Sequence, residues 1–314
     1  MLFQFLGKAS GATRSLTMTK RVFAFGCSLT DYRWPTWADI IGRSYHNKGY
    51  EYYNFGNSGS GNQYIANSLH LANIKYKFTP DDIIIVMWSS WTREDRYILD
   101  YSWDLGVRGQ WTKEGNILNA VFDSPRYEPS FLKYWSLEND IVKNIVAVNS
   151  ARKMYNITFE EWIPIHEPTE HEKKHLNEEP DIGTEIYNKY IEHVGPKGSK
   201  WNDILKSVGT PEDPIGVQLA YQVDGHPLPL EALKYVQLHT NFDIDDDTIN
   251  YATQFHQLIV DWASNYNEGT ITHDVAFDKQ IARKHHIEKK EYRSGDYFDL
   301  WTDDCFIDLL DDFF

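Results

Sequence analysis

The sequence predicts an α/β protein, a three-layer sandwich in which a parallel sheet is flanked by helices and interrupted by insertions. Three observations lead to this. Runs such as "RVFAFGCS" and "IIIVMWSS" are of strand length and apolar throughout, the pattern of strands covered on both faces. The first two strand-like runs are each followed by a segment with apolar residues at helical spacing. Strand, helix, strand, helix, strand in that order implies parallel pairing with crossover helices.

The first seventeen residues, "MLFQFLGKASGATRSLT", are apolar for only a few positions and then small and polar, too short for a secretory signal or a membrane span. A flexible leader is expected over residues 1–19. "RVFAFGCS" is the first strand, and "WPTWADIIGRSY" a helix with Trp37, Ile40 and Ile41 at helical spacing. "YEYYNFGNSGSGN" is a strand that breaks into a Gly/Ser/Asn loop, followed by a helix through "QYIANSLHLANIKY". Thr79-Pro80-Asp81-Asp82 interrupts the chain before "IIIVMWSS", the third strand. From about 95 to 136 Trp, Tyr, Gly and Arg occur without clear period, the pattern of an insertion over the sheet. "LENDIVKNIVAVNSARKMY" then predicts a helix and "ITFEEWIPI" a fourth strand. A second insertion, charged and broken by Pro and Gly, is expected at about 166–215, and helices follow in "EALKYVQL" and "DTINYATQFHQLIVDWASNY". The domain is thus expected over 20–270, in a sandwich of flavodoxin-like type. Residues 271–314 read as an acidic C-terminal extension, whose end "DDCFIDLLDDFF" packs on its own domain or on a protein partner. No internal repeat is visible.

Charge narrows the function. The chain has 31 Lys and Arg against 46 Asp and Glu, a net charge of −15, which disfavours nucleic acid and anionic lipid as partners. No stretch is long and apolar enough to span a bilayer, so a soluble protein is expected. Cys27 and Cys305 are the only cysteines, which gives no disulfide framework and no multi-cysteine metal site, and no cofactor is indicated. Eleven Trp and twenty Tyr either fill a core or line a surface for flat partners such as sugar faces.

In open parallel sheets, ligands bind outside the carboxyl ends of the strands. That rule groups three loops: Cys27 to Thr30, Asn57 to Asn62, and Ser89 to Arg93. Ser28 ends the first strand, where helical N–H groups stabilise negative charge. A serine needs a base, and "VDGHPLPLEAL" offers Asp224 and His226 about a glycine that lets the two side chains turn to one site. In this arrangement His226 takes the serine proton and Asp224 orients and stabilises the imidazolium. The Ser28 N–H, the Gly59 backbone and the Asn62 amide are the candidate oxyanion donors.

These residues together resemble the SGNH (GDSL-like) hydrolase superfamily. "FGCSLTDY" is similar to its first signature, Gly-Asp-Ser-Leu, with Cys27 in place of the aspartate. "NFGNSGSGN" resembles the second, Asn-x-Gly-x-x-Gly, which puts the oxyanion glycine at Gly59 with Gly61 as rival. "DGHP" resembles the last, Asp-x-x-His-Pro, although one residue shorter, and the order along the chain matches. The third signature, Gly-x-Asn-Asp, is replaced by "WSSWTRED". Ser89, Ser90 or Asn62 then stands in for the family's asparagine, and Ser89, Ser90 and Arg93 become candidates for substrate binding. "GCS" with "WS…R" is similar to divergent members carried by tailed phages, so the resemblance implies a cytoplasmic or phage-encoded protein, a virion component included. The similarity covers roughly residues 20–98 and 140–240.

The resemblance implies a serine esterase working through an acyl-enzyme, on a small-molecule or carbohydrate ester such as an O-acetyl group, with Trp91, Trp103 and Trp111 available for stacking on sugars. Two other readings compete. A serine between strand and helix is by itself an N-cap, "NSGSGN" a loop and "DGHP" a turn, so the fold could serve as an inactive binding or structural module. His171-Glu172-Lys173-Lys174-His175 matches the HExxH zinc pattern, but in a segment saturated with Glu, Lys and His, bounded by Pro168 and Pro180 and lacking an apolar face, it reads as a solvated charged helix. His285-His286 likewise reads as an exposed basic face.

Overall fold

The computed structural model describes residues 19–89, 93–102, 106–116, 137–162, 192, 226–264, 277–296 and 300. In chain order the elements are β1 (Arg21–Phe25), α1 (Trp37–Asn47), β2 (Glu51–Asn54), α2 (Asn62–Tyr76), β3 (Ile83–Trp88), β4 (Arg93–Ser102) and β5 (Gly106–Asn116). There follow α3 (Leu137–Met154), β6 (Phe159–Trp162), α4 (Pro229–His239), α5 (Asp246–Ser264), α6 (Phe277–Tyr292) and β7 (Gly295–Asp296). Five strands form one sheet in the order β6-β3-β1-β2-β7, every pair parallel. Strands β2, β1, β3 and β6 follow the flavodoxin-like order, and β7 is added beyond β2. The chain goes to one side of β1 for β2 and to the other for β3, so a crevice opens where β1 and β3 end.

Alternation along the strands builds two cores. Val22, Ala24, Tyr52, Ile85 and Met87 join the cluster formed with α1, α4, α5 and α6. Phe23, Phe25, Ile84, Val86 and Trp88, with Phe55 just beyond β2, join the cluster formed with α2 and α3. Odd and even residues of one strand thus enter different cores, which is why β3 and, after Arg21, β1 are apolar throughout. Helix α1 begins with a reciprocal cap: the Asp39 N–H donates to Thr36 Oγ1 at 3.4 Å and the Thr36 N–H to Asp39 Oδ2 at 3.1 Å. Helix α4 starts on Pro229, and the Glu231 carboxylate accepts from the Leu228 N–H at 2.7 Å.

The C-terminal boundary differs from the expectation. Residues 277–296 and Leu300 belong to the α/β fold: α6 packs on α1 and α5, β7 pairs with β2, and Leu300 is buried in the α2–α3 core. His285 is also not part of an exposed face, being 1 % exposed beside Asp39 and Tyr292. The reason is a face at i, i+4, i+7 spacing, Ile281, His285 and Glu288 to Tyr292, whose buried members are partly polar and so leave little apolar signature. The insertion near 95–136 opens with the antiparallel hairpin β4–β5, a sheet of its own. The leader, almost all of 166–215, and the acidic end beyond Leu300 lie outside the described residues. Among the described residues no helix is long and apolar enough to cross a membrane.

Candidate functional site

The chain leaves β1 through Gly26, where a Cβ would lie 1.9 Å from Thr30 Oγ1, so only glycine allows the turn to fold back this tightly. The Cys27 carbonyl accepts the Thr30 and Asp31 N–H groups at 2.9 and 3.1 Å. Ser28 is therefore held in a closed turn at the carboxyl end of β1, 5 % exposed. The Thr30 carbonyl in turn accepts Thr36 Oγ1 at 2.7 Å and Asn54 Nδ2 at 2.9 Å, which ties this turn to the start of α1 and the end of β2.

The second loop packs against the first. Asn57 N–H donates to the Gly26 carbonyl at 3.1 Å and Ser60 N–H to the Asn57 carbonyl at 3.2 Å. Gly59 sits in that turn at φ +81°, a conformation that favours glycine. The N-terminus of α2 lacks a capping side chain of its own at Gly61. Asp95 of β4 supplies it: its carboxylate accepts the Gly61 and Tyr64 N–H groups at 2.7 and 2.9 Å. Burial is the main influence on this carboxyl and pushes its pKa up to about 6, against the pull of those backbone donors.

His226 lies just before α4. Its ring stacks on Tyr32, with centroids 3.8 Å apart and planes 14° from parallel. Trp34 Nε1 donates to the Pro227 carbonyl at 2.7 Å, which fixes the His226 segment to the β1–α1 loop across 193 residues of sequence. Ser28 and His226 consequently line one small cavity of ≈ 10 Å³ with Tyr32, Trp34 and Trp37, a space of about one water. Among the described residues the Ser28 hydroxyl makes no hydrogen bond, to His226 or otherwise. His226 and Tyr32 also border an open cleft of ≈ 520 Å³, whose other walls include Asp31, Arg33, Asn57, Ser58, His286 and Lys289.

Of the expected residues, Ser28 and His226 are brought together, and Gly59 lies on the adjoining loop. Asp224, Ser90 and the His171/Glu172/His175 set lie outside the described residues. Asn62 is not an oxyanion donor in this conformation, because its amide hydrogens are committed: Nδ2 donates to the Ser89 carbonyl and to Asn144 Oδ1, both at 3.0 Å, and Oδ1 accepts the Ser89 N–H at 2.7 Å. Asn62 locks the end of β3 to α2 and α3. Ser89 does not face a substrate either, being fully buried with its hydroxyl unpartnered. Arg93 reaches the second loop and donates to the Ser60 carbonyl at 2.9 Å. Trp111 is on β5, on the separate hairpin, while Trp91 and Trp103 lie outside the described residues.

Sequence reasoning missed a charged cluster behind the cleft. Arg293 donates to both oxygens of Asp31 at 3.2 and 3.0 Å and to Asp39 Oδ1 at 2.8 Å, and Lys289 reaches Asp31 at 3.5 Å. Burial opposes the charge of Asp39, but the Arg293 guanidinium, with Lys289 behind it, outweighs burial and keeps its carboxyl below the usual range. Burial drives the His285 imidazole down to about 4, so it is neutral at neutral pH, and raises the Tyr52 and Tyr292 phenols. The signal available in the sequence was the "Asp31…Asp39" pair on the first loop and helix; its cationic partners are more than 250 residues away. Among the described residues no group of three His, Cys, Asp or Glu side chains is placed to hold a metal ion.

Comparison of the chain with protein-family models finds no match, and comparisons with curated proteins and with solved structures find none either.

Proposed function

We propose that the chain is a serine ester hydrolase in which Ser28 is the nucleophile and His226 the general base. The observation that carries this reading is the meeting of Ser28 and His226 in one cavity at the carboxyl end of β1, from positions 198 residues apart in the sequence. In the proposed reaction Ser28 Oγ attacks the ester carbonyl while His226 accepts its proton, giving a tetrahedral oxyanion. The backbone N–H groups of Ser28 and Gly59 are the donors assigned to that oxyanion, the Asn62 amide being already engaged. Collapse expels the alcohol, which takes the proton back from His226, and water then cleaves the acyl-enzyme by the same steps. Asp224 is assigned the orienting carboxylate. The Tyr32 ring limits imidazole rotation by stacking on it. Contact between Ser28 and His226 closes when substrate enters, as catalytic hydrogen bonds are often long in the empty enzyme. An O-acetyl group on a carbohydrate is the substrate first to be tried, and a phage-encoded origin fits the same reading.

The test is turnover of p-nitrophenyl acetate by the wild type and Ser28→Ala, with fluorophosphonate labelling. The expected result is labelling at Ser28 and a fall in kcat/KM on the order of 10³ or more in the variant. Full activity in Ser28→Ala, or neither turnover nor labelling in the wild type, overturns the reading.

The unbonded Ser28 hydroxyl and its one-water cavity favour a second reading, a binding or structural module without chemistry. Absent labelling together with unchanged stability in Ser28→Ala is its signature.

A further inference from the structure

Half of the exposed large apolar side chains among the described residues, Val142, Val146 and Met154, lie on α3. Val142 and Val146 are one turn apart and each more than half exposed, and the line they begin continues through Asn149 to Lys153 along the outer face of the helix. Asn144, Val148 and Ala151 are buried on the opposite face. A groove of ≈ 570 Å³ lies on the outer side, lined among the described residues by Ile145, Val146, Asn149, Ser150, Arg152 and Lys153. Arg152 is held there by Glu160 at 2.8 Å, and Lys143 and Lys153 add cations along the same helix.

A matching segment of the chain starts from this layer. Leu300 is buried in the core cluster that α3 enters through Val148 and Ala151, so residues 301–314 leave the fold on the α2–α3 side of the sheet. Their sequence, "WTDDCFIDLLDDFF", has helical apolar spacing: Phe306, Leu309, Leu310 and Phe313 fall on one side, and Asp304, Asp308, Asp311 and Asp312 on the other. Lengths agree as well. Extended, 301–303 span about 10 Å, roughly the width of a helix. As a helix, 304–314 is about 17 Å long, and the line from Val142 to Lys153 is about 17 Å too.

We propose that residues 304–314 dock as an amphipathic helix on the outer face of α3, with Phe306, Leu310 and Phe313 covering Val142 and Val146. The acidic end is then held by its own domain, next to the cations of α3. This assignment is independent of the esterase reading.

Cys305 supplies the probe, since Cys27, the other cysteine, is fully buried. A second cysteine is placed in the full chain at Val142, Val146, Asn149 or Lys153, one at a time. Leu238→Cys on α4 is the reference, an exposed site on the other side of the sheet. Each site is at the surface, so the fold is kept in every variant. A short bismaleimide is added, and linked peptides are followed by mass spectrometry. At least one α3 variant is expected to join Cys305 of the same molecule about tenfold faster than the reference, the gain of docking over a loose tether. Adding Phe306→Asp and Leu310→Asp should return that rate to the reference. Equal rates at all sites overturn the proposal, as does a fast link that survives the two aspartates. Links between two molecules in place of links within one assign the groove to a second copy and overturn it too.

Discussion

Toward α2 and α3 the sheet presents Phe23, Phe25 and Phe55, and the rings continue outward through Tyr53, Tyr76 and Phe78, with Phe23 and Tyr53 stacked at 4.9 Å. Toward α1 and α6 it presents Val22, Ala24 and Tyr52, and the space beyond holds Asp39, His285 and Arg293, each nearly sealed from solvent. The first face is stabilised by area and ring packing, which need no particular partner. The second adds buried charges to its own apolar cluster, and these are tolerated only while each keeps its counter-charge, because a buried ion pair is costly to break and only marginal as a source of stability. The cleft is built against the second face. What the difference teaches is that the demanding groups lie next to the candidate chemistry, and the tolerant ones on the far side of the sheet.

The sharpest way to break that comparison is Arg293→Met, which leaves Asp39 and most of Asp31 without their counter-charge. A loss of about 3–5 kcal/mol in urea unfolding is expected, partly recovered when Asp39→Asn is added. A loss under about 1 kcal/mol would show the cluster to be solvated and the two faces alike. On the aromatic face, Phe55→Leu is expected to cost about 1–2 kcal/mol, with no second substitution that restores it. Asp95→Ala, which removes the cap on α2, is expected to cost about 1 kcal/mol. Lys284→Ala, which removes the exposed 3.3 Å pair with Glu288 on α6, is expected to cost under about 0.5 kcal/mol and to matter less as salt is raised.

Acid stability separates these groups further. His256 and His285 ionise near 4 in the folded chain because burial disfavours the imidazolium, against 6.5 when unfolded. The unfolded chain therefore takes up protons first as pH falls, and the stability they contribute is full above 6.5 and lost on the way down to about 4. Asp95 runs the other way. Raised to about 6 from 3.8, it favours the folded chain below 3.8, and that contribution is lost as pH rises through 6. Asp95→Asn removes the opposing slope, so the variant should lose stability on acidification from pH 6 to 4 more steeply than the wild type in denaturant titrations.

The first half of the fold was legible because β1, β2 and β3 are signalled locally, by apolar or aromatic runs with a Gly or Pro at one end. The meeting of Ser28 with His226 was legible too, since a parallel sheet collects strand ends whatever the distance along the chain. Strand β7 was not, because two residues, Gly295 and Asp296, carry no alternation to read. Asn62 was misassigned for a different reason. An asparagine beside glycines looks like a free donor, and only the placement of Ser89 and Asn144 shows its hydrogens to be committed. The cap on α2 comes from Asp95, 34 residues from Gly61 and in another element, beyond the reach of any local capping pattern.

The span between Asp39 and Arg293, 254 residues, also has a consequence during synthesis. At about 5–20 residues per second, roughly 13–50 s separate the appearance of that aspartate from the appearance of its arginine. Strands β1 to β3 can pair in that interval, but α1 waits with a carboxylate and an uncovered flank. A chain released before residue 293 would carry Ser28 and His226 on a sheet that has not closed.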